Sequence, residues 1–146
     1  LPESNIKKAD SQNVCSFGSC CDQVTDSNRY CYRAQCMATT KNIVAELGWG
    51  EERYSIAFQS RFGRQAWIQP YLDEHLEKLL ETGVKKIAVV TPSFVSDCLE
   101  TIHEIGIEYR EQFMEGGGEV FQLVPNLNDE PVWFNSVYEI SQSHQS

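Results

Sequence analysis

Two stretches carry side chains whose types and spacing suit chemistry. In "SDCLETIHEIGIEYREQF", Ser96 to Phe113, an α-helical pitch of about 100° per residue puts Cys98, Ile102, Ile105, Tyr109 and Phe113 on one face and Asp97, Glu100, Glu104, Glu108 and Glu111 on another. Like charges at i, i+4 destabilise a helix by roughly 0.2–0.5 kcal/mol per pair, and Glu100, Glu104 and Glu108 make two such pairs. Glu108 and Glu111 also lie toward the helix C-terminus, where the dipole disfavours acids. Such a row supplies hard oxygen ligands for a divalent cation, or proton acceptors for a bound substrate. It is equally the pattern of a solvated helix face. His103 lies about 60° off the stripe and within reach of it.

The second stretch is "CSFGSCCDQVTDSNRYCYRAQC", with Cys15, Cys20, Cys21, Cys31 and Cys36, five of the six cysteines. Six are too few for a disulfide scaffold in 146 residues, and their crowding indicates one local site. Clustered thiolates bind zinc or an iron–sulfur cluster. The C-x4-C spacings at Cys15/Cys20 and Cys31/Cys36 are not those of a common zinc ribbon, and a disulfide pair or free thiols are the competing readings.

Composition bounds the partners. With 12 basic against 21 acidic residues the net charge is −9, which argues against phosphate-driven nucleic-acid binding and against an anionic membrane surface. A cationic or metal partner fits better. The longest strongly apolar run is "IAVV", Ile87 to Val90, far short of the ~20 residues that span a bilayer. No signal-peptide pattern is present, so the expectation is a soluble, cytoplasmic piece, with peripheral contact to an inner membrane left to the parent chain. Because the chain opens on Leu1 in a turn-like "LPES", it is read as an excised part of a longer protein.

The elements that must position these side chains alternate. Residues 1–28 are polar and aperiodic, and read as a loop or insertion. The spacing predicts a helix from about Tyr30 to Leu47, stopped by Gly48, then a strand in "RYSIAFQS". A helix over Leu72 to Glu81 ended by Gly83, a strand in "KKIAVV", the acidic helix broken by Gly116 to Gly118, a strand in "EVFQLV" and a last helix from Pro131 to Ile140 follow. This is an α/β pattern: a parallel sheet whose crossovers are helices.

In such sheets functional loops leave the carboxyl ends of the strands. Two qualify, "QSRFGRQAW" and "TPSFVSD", and the second feeds into the acidic helix. Trp67 and Phe94 lie on them and either wall a slot for a flat apolar ligand or pack in the core. Arg61 and Arg64 suit a ligand's carboxylates and serve equally as surface charges.

Taken together, "FQSRFGRQAWIQPYLDEHLEKL", "VVTPSFVSDCLETIHEIGIEYRE" and "VPNLND" resemble the carboxy-terminal half of ferrochelatase, which inserts ferrous iron into a porphyrin to make haem. The resemblance runs from about Tyr32 to the last helix. It implies a Rossmann-like, three-layer parallel sheet with helices on both faces, one lobe of a two-lobed chelatase, over 30–146, with 1–29 as a loop and cysteine-rich insertion. It implies that Glu100 is the active-site glutamate with Asp97 in the same cleft. It further implies that Glu100, Glu104 and Glu108 form a line for Fe²⁺ or protons, and that Trp67 and Phe94 bind the porphyrin. Cys98 stands where some members carry His. "LPES" resembles the tail of a turn whose catalytic His would precede Leu1, so this piece alone is expected to be inactive. A subset of the family carries a [2Fe–2S] cluster, for which Cys15, Cys20, Cys21 and Cys31 are the preferred ligands, with Cys36 replacing Cys20 or Cys21 as the alternative. The implied partners are porphyrin, ferrous iron as substrate, and the amino-terminal lobe of the same chain. A cobalt-type tetrapyrrole chelatase and a non-catalytic zinc-binding module remain as competing readings.

Overall fold

The computed structural model describes residues 1–10 and 12–143. The chain forms two compact units, Leu1–Lys78 and Leu79–Ser146, whose boundary falls inside a helix.

In the first unit α1, Glu3–Ala9, occupies part of the stretch expected to be loop. Glu3 in its first turn and Lys7 and Lys8 in its last complement the dipole, and Ile6 is buried. Burial of that one apolar side chain is a tertiary effect that no periodicity announces. A 3₁₀ turn at Ser19–Cys21 precedes α2, Tyr32–Leu47, which buries Ala34 and Val44. Gly48 ends α2 in the left-handed conformation, φ 63°, which glycine adopts without steric cost. Helix α3, Leu72–Glu81, has the predicted bounds and buries Leu76.

The stretch "RYSIAFQS" differs from expectation. It forms no named strand and makes a single parallel bridge, Phe58 to Tyr71. The Phe58 N–H donates to the Pro70 carbonyl (2.8 Å) and its carbonyl accepts from Leu72 N–H (3.0 Å), while Ser60 at φ 56° turns the chain out of the extended region. Leu1 and Pro2 also pair: Ile68 N–H donates to Leu1 O (3.1 Å) and Glu3 N–H to Ala66 O (2.9 Å).

In the second unit β1, Lys86–Val89, pairs in parallel with β2, Val120–Leu123, with Lys86 opposite Val120 and Val89 opposite Leu123. A parallel pair needs a crossover. The acidic helix supplies it, as Glu100–Tyr109 continuing into α4, Arg110–Glu115. Thr101, Ile105 and Phe113 of this helix and Phe121 of β2 are buried, with the Phe113 and Phe121 rings 5.9 Å apart. Helix α5, Pro131–Ser143, follows with no buried residue. Among the described residues the sheet has these two strands, so the fold is a mixed arrangement of helices with a small parallel sheet, of the α/β kind. No described helix is long and apolar enough to cross a membrane.

Candidate functional site

The acidic helix is not α-helical where its carboxylates lie: Glu100–Tyr109 is a π-helix. Bonding from i to i+5 widens each turn, a rare geometry that is frequent at functional sites. The wider turn replaces the expected faces. Ile102, placed on the apolar face by an α pitch, is 56 % exposed, and Thr101 takes a buried position at 0 %. Gly106 makes this packing possible, since a Cβ there would lie 3.2 Å from the Leu123 side chain and 3.4 Å from the Thr101 carbonyl.

The wider turn also pairs the side chains. Tyr109 donates its hydroxyl to Glu104 Oε1 across 3.4 Å, a separation of five residues. His103 Nδ1 lies 3.4 Å from Glu108 Oε1, an ion pair once the ring is protonated, and is again five residues away. Glu100 and Glu111 are exposed and make no ion pair among the described residues. The neighbouring Cys98 thiol, with Glu100's own backbone N–H, holds the Glu100 carboxyl below its ordinary range. Charge on this glutamate therefore persists to lower pH than on a free one.

Asp97 is engaged differently. Its carboxylate accepts from Asn128 Nδ2 (2.7 Å), Asn126 Nδ2 (3.1 Å) and Thr101 Oγ1 (3.2 Å). The Asn128 amide, with Thr101 and Asn126, holds its carboxyl below the usual value. Phe94 is half-buried in the preceding turn, its N–H donating to the Thr91 carbonyl at 2.9 Å.

Trp67 belongs to the first unit. It is half-buried, its Nε1 donates to the Phe62 carbonyl (3.0 Å), and its backbone N–H donates to the Tyr71 hydroxyl (3.3 Å). Arg61 is occupied: its guanidinium meets Asp73 at 2.6 Å and Glu74 at 3.1 Å and lies 4.4 Å from the Tyr71 ring centroid. That leaves Arg64 as the exposed arginine of this loop without an ion pair among the described residues.

None of the six cysteines forms a disulfide. Cys15, Cys20, Cys21 and Cys31 line one cavity of about 20 Å³ together with Ile6 and Asp10, while Cys36, on α2, is not part of its lining. Asp10 orders this loop by accepting from the backbone N–H of Cys15 (2.7 Å) and Val14 (2.9 Å). Backbone N–H groups of Ser16 and Gly18 bring the Cys20 thiol down to about 6. Burial pushes the Cys15 and Cys21 thiols up. Cys20 Sγ and Cys21 Sγ are 3.8 Å apart. The donor chemistry fits a thiolate-bound group, because four soft ligands share one wall and one is poised to ionise. The thiols stand apart rather than closing into a cage: the cavity has room for about one water, and no three His, Cys, Asp or Glu side chains among the described residues are arranged to hold an ion.

Sequence reasoning marked Cys98 only as standing where some family members carry His; its contact with Glu100, and the two asparagines on Asp97, were not foreseen. The only signal for them is the closeness of "SDC" and "NLND" to two strand ends.

A family model described as ferrochelatase matches residues 1–145. A ferrochelatase of Coxiella burnetii (strain Dugway 5J108-111) is 43% identical over 143 residues, covering 97% of this chain and 40% of that relative. A ferrochelatase of Legionella pneumophila (strain Corby) is 44% identical over 140 residues, covering 96% of this chain and 42% of the relative. The chain thus spans about 40% of the length of the curated relatives it matches.

Proposed function

Because the chain belongs to the ferrochelatase family, we propose that it is the Rossmann-like carboxy-terminal lobe of a chelatase that inserts Fe²⁺ into protoporphyrin IX or coproporphyrin in haem biosynthesis. The observation that carries this reading is Glu100, an exposed carboxylate at the start of a π-helix, held below the ordinary carboxylate range by a neighbouring thiol and without an ion pair among the described residues.

As the metal enters, the porphyrin gives up its pyrrole protons, so a base must stand at the ring and the incoming ion must be held weakly. Glu100 serves as that base and as the last oxygen ligand before transfer. Glu104 and Glu108 relay iron or protons along the helix, the first through its Tyr109 contact and the second through His103. Trp67 and Phe94 each offer an aromatic surface for the porphyrin, and a tight slot favours a distorted macrocycle. The amino-terminal lobe of the same parent chain closes the site. Any peripheral membrane contact belongs to that parent.

Cys15, Cys20, Cys21 and Cys31 would hold a [2Fe–2S] cluster; the choice of these four is supported by their lining one cavity that Cys36 does not line. Such a cluster would supply a redox-sensitive cross-link between Cys15 and the start of α2.

The test uses the full-length parent under anaerobic conditions, with Fe²⁺ and each porphyrin, following loss of porphyrin fluorescence and formation of haem. Turnover by the parent and none by the 146-residue chain is expected. A parent that metallates only a different tetrapyrrole with cobalt would overturn the reading. For the cluster, anaerobically purified protein should show visible absorbance that Cys31→Ser bleaches, whereas a colourless protein with stoichiometric zinc would refute it.

A further inference from the structure

The densest polar network of the second unit lies beside the exposed carboxylates and has no assigned role. It joins three pieces of backbone: the turn after β1, the loop after β2, and the entry to the π-helix. Asp97 Oδ2 accepts from Asn128 Nδ2 at 2.7 Å, and Asp97 N–H donates back to Asn128 Oδ1 at 2.8 Å. Asp97 Oδ1 accepts from Asn126 Nδ2 at 3.1 Å and from Thr101 Oγ1 at 3.2 Å. Asn126 Oδ1 in turn accepts from Thr91 Oγ1 at 2.8 Å, and Asn128 Nδ2 also reaches the Asn126 carbonyl at 3.2 Å. The Asn128 backbone N–H donates to the Val95 carbonyl at 3.0 Å.

Two features mark this as a built device. Thr91 and Thr101 are both buried, so the network's ends are shielded from water. Asn128 stands at φ 47°, a left-handed conformation that asparagine tolerates better than most residues. A π-helix is also easily lost, because removing one residue's worth of bulge returns it to α geometry and rotates every side chain beyond the change. Glu100 follows Asp97 by three residues and, among the described residues, has no other side-chain anchor than Cys98. Its place is therefore set by how the helix begins. A carboxylate already accepting three hydrogen bonds is poorly suited to leave them for a substrate proton.

We propose that Asp97 is a positioning residue, and that Asn126 and Asn128 form with it a carboxylate–amide latch that fixes the start of the π-helix and hence the place of Glu100. This rests on the chelatase reading of that helix. The latch gives the two asparagines a function and moves Asp97 from proton transfer to support.

The geometry allows a polarity swap as the test. In Asp97→Asn, one amide NH₂ faces another, Asn128 Nδ2, and the shortest contact fails. In the double variant Asp97→Asn with Asn128→Asp, the carboxylate moves to 128. There it accepts from the new Nδ2 at 97 and from the backbone N–H of 97, while the new Oδ1 at 97 still accepts from Asn126 and Thr101; the longer 3.2 Å bond from position 128 to the Asn126 carbonyl is lost, which is why recovery is expected to be incomplete.

In the full-length parent, Asn128→Ala and Asp97→Asn should each lower kcat about a hundredfold through misplacement of Glu100, with porphyrin KM within about twofold. The double variant should recover to within about fivefold of wild type. Amide hydrogen exchange over residues 100–109 should quicken in both single variants and return to normal in the double. A double variant as inactive as Asp97→Asn would show that the carboxylate itself is needed at 97 and overturn the proposal. Single variants with wild-type kcat and wild-type exchange would do the same. If the wild-type parent inserts no iron, the chelatase reading fails, and hydrogen exchange alone still decides whether the latch fixes the helix.

Discussion

Replacing Gly118 by Ala tests the packing that supports the carboxylate helix. A Cβ on Gly118 would lie 2.3 Å from Cδ1 and Cε1 of Phe113 and 2.8 Å from the Phe113 carbonyl. The ring has little room to retreat, because Phe113 is 0 % exposed and packs on Phe121 with centroids 5.9 Å apart. Overpacking of this kind costs about 1–3 kcal/mol, and the entropy that alanine removes from the unfolded chain returns roughly 0.4–1 kcal/mol. The net expectation is a loss of about 1–2 kcal/mol, against a total stability on the order of 5–15 kcal/mol. Phe113→Leu alone should cost about 1–3 kcal/mol for the lost ring and aromatic pair. Leucine also vacates the space that the new methyl needs, so the double variant should cost less than the sum, by about 0.5–1.5 kcal/mol. A residual cost persists because the contact with the Phe113 carbonyl is backbone and cannot be trimmed away. Native-state hydrogen exchange at the amides of α4 and β2 reads these opening free energies directly. Strict additivity, or a neutral Gly118→Ala, would refute the close packing of this loop on Phe113.

Three further outcomes are expected. Glu100→Gln in the full-length parent should lower metal insertion by about 10²–10⁴-fold through loss of the base without moving the thermal midpoint, since Glu100 is exposed; wild-type turnover would remove it from the mechanism. Cys98→Ala should move the acidic limb of kcat/KM to higher pH: the thiol keeps Glu100 ionised below the ordinary carboxylate range, so its loss lets protonation begin earlier as pH falls, and an unmoved limb would discount the contact. In cluster-free protein, iodoacetamide should modify Cys20 first at pH 7, with a rate that rises through about 6 and then levels, while Cys15 and Cys21 lag; equal labelling of the three would contradict the backbone N–H stabilisation of Cys20.

The alternation of elements was legible because each signal is local. Gly48 and Gly83 ended helices where expected, the bounds of α3 were read to the residue, and "KKIAVV" and "EVFQLV" contained the two paired strands. "RYSIAFQS" misled because its composition states only that it suits an extended, half-buried setting. Whether it forms a ladder depends on its neighbours, and here the Pro70–Leu72 turn takes up the backbone groups of Phe58. Thiol chemistry marked all five clustered cysteines, and only the resemblance to cluster-bearing relatives set Cys15, Cys20, Cys21 and Cys31 apart from Cys36; nothing in their spacing foretold that Asp10 would order the loop or that Cys20 would receive backbone N–H groups. The π turn was beyond reach for a different reason. Its cause is long-range packing, of Thr101 and Ile105 into the core and of Gly106 against Leu123, and the residues themselves read equally well at an α pitch.

That hidden change of pitch resolves the electrostatic question the sequence poses. Counted at an α pitch, five carboxylates share one face with no cation spaced to meet them, and the row is costly along its whole length. Bonding to i+5 brings a donor opposite two of them, Tyr109 for Glu104 and His103 for Glu108. A third, Asp97, is satisfied from outside the helix by Asn126 and Asn128. Glu100 is left exposed in the first turn, where the helix dipole favours an anion. The helix thus tolerates its charges by giving partners to three of the five; of the two left exposed, Glu111 lies toward the C-terminal end and Glu100 stands where negative charge is best borne.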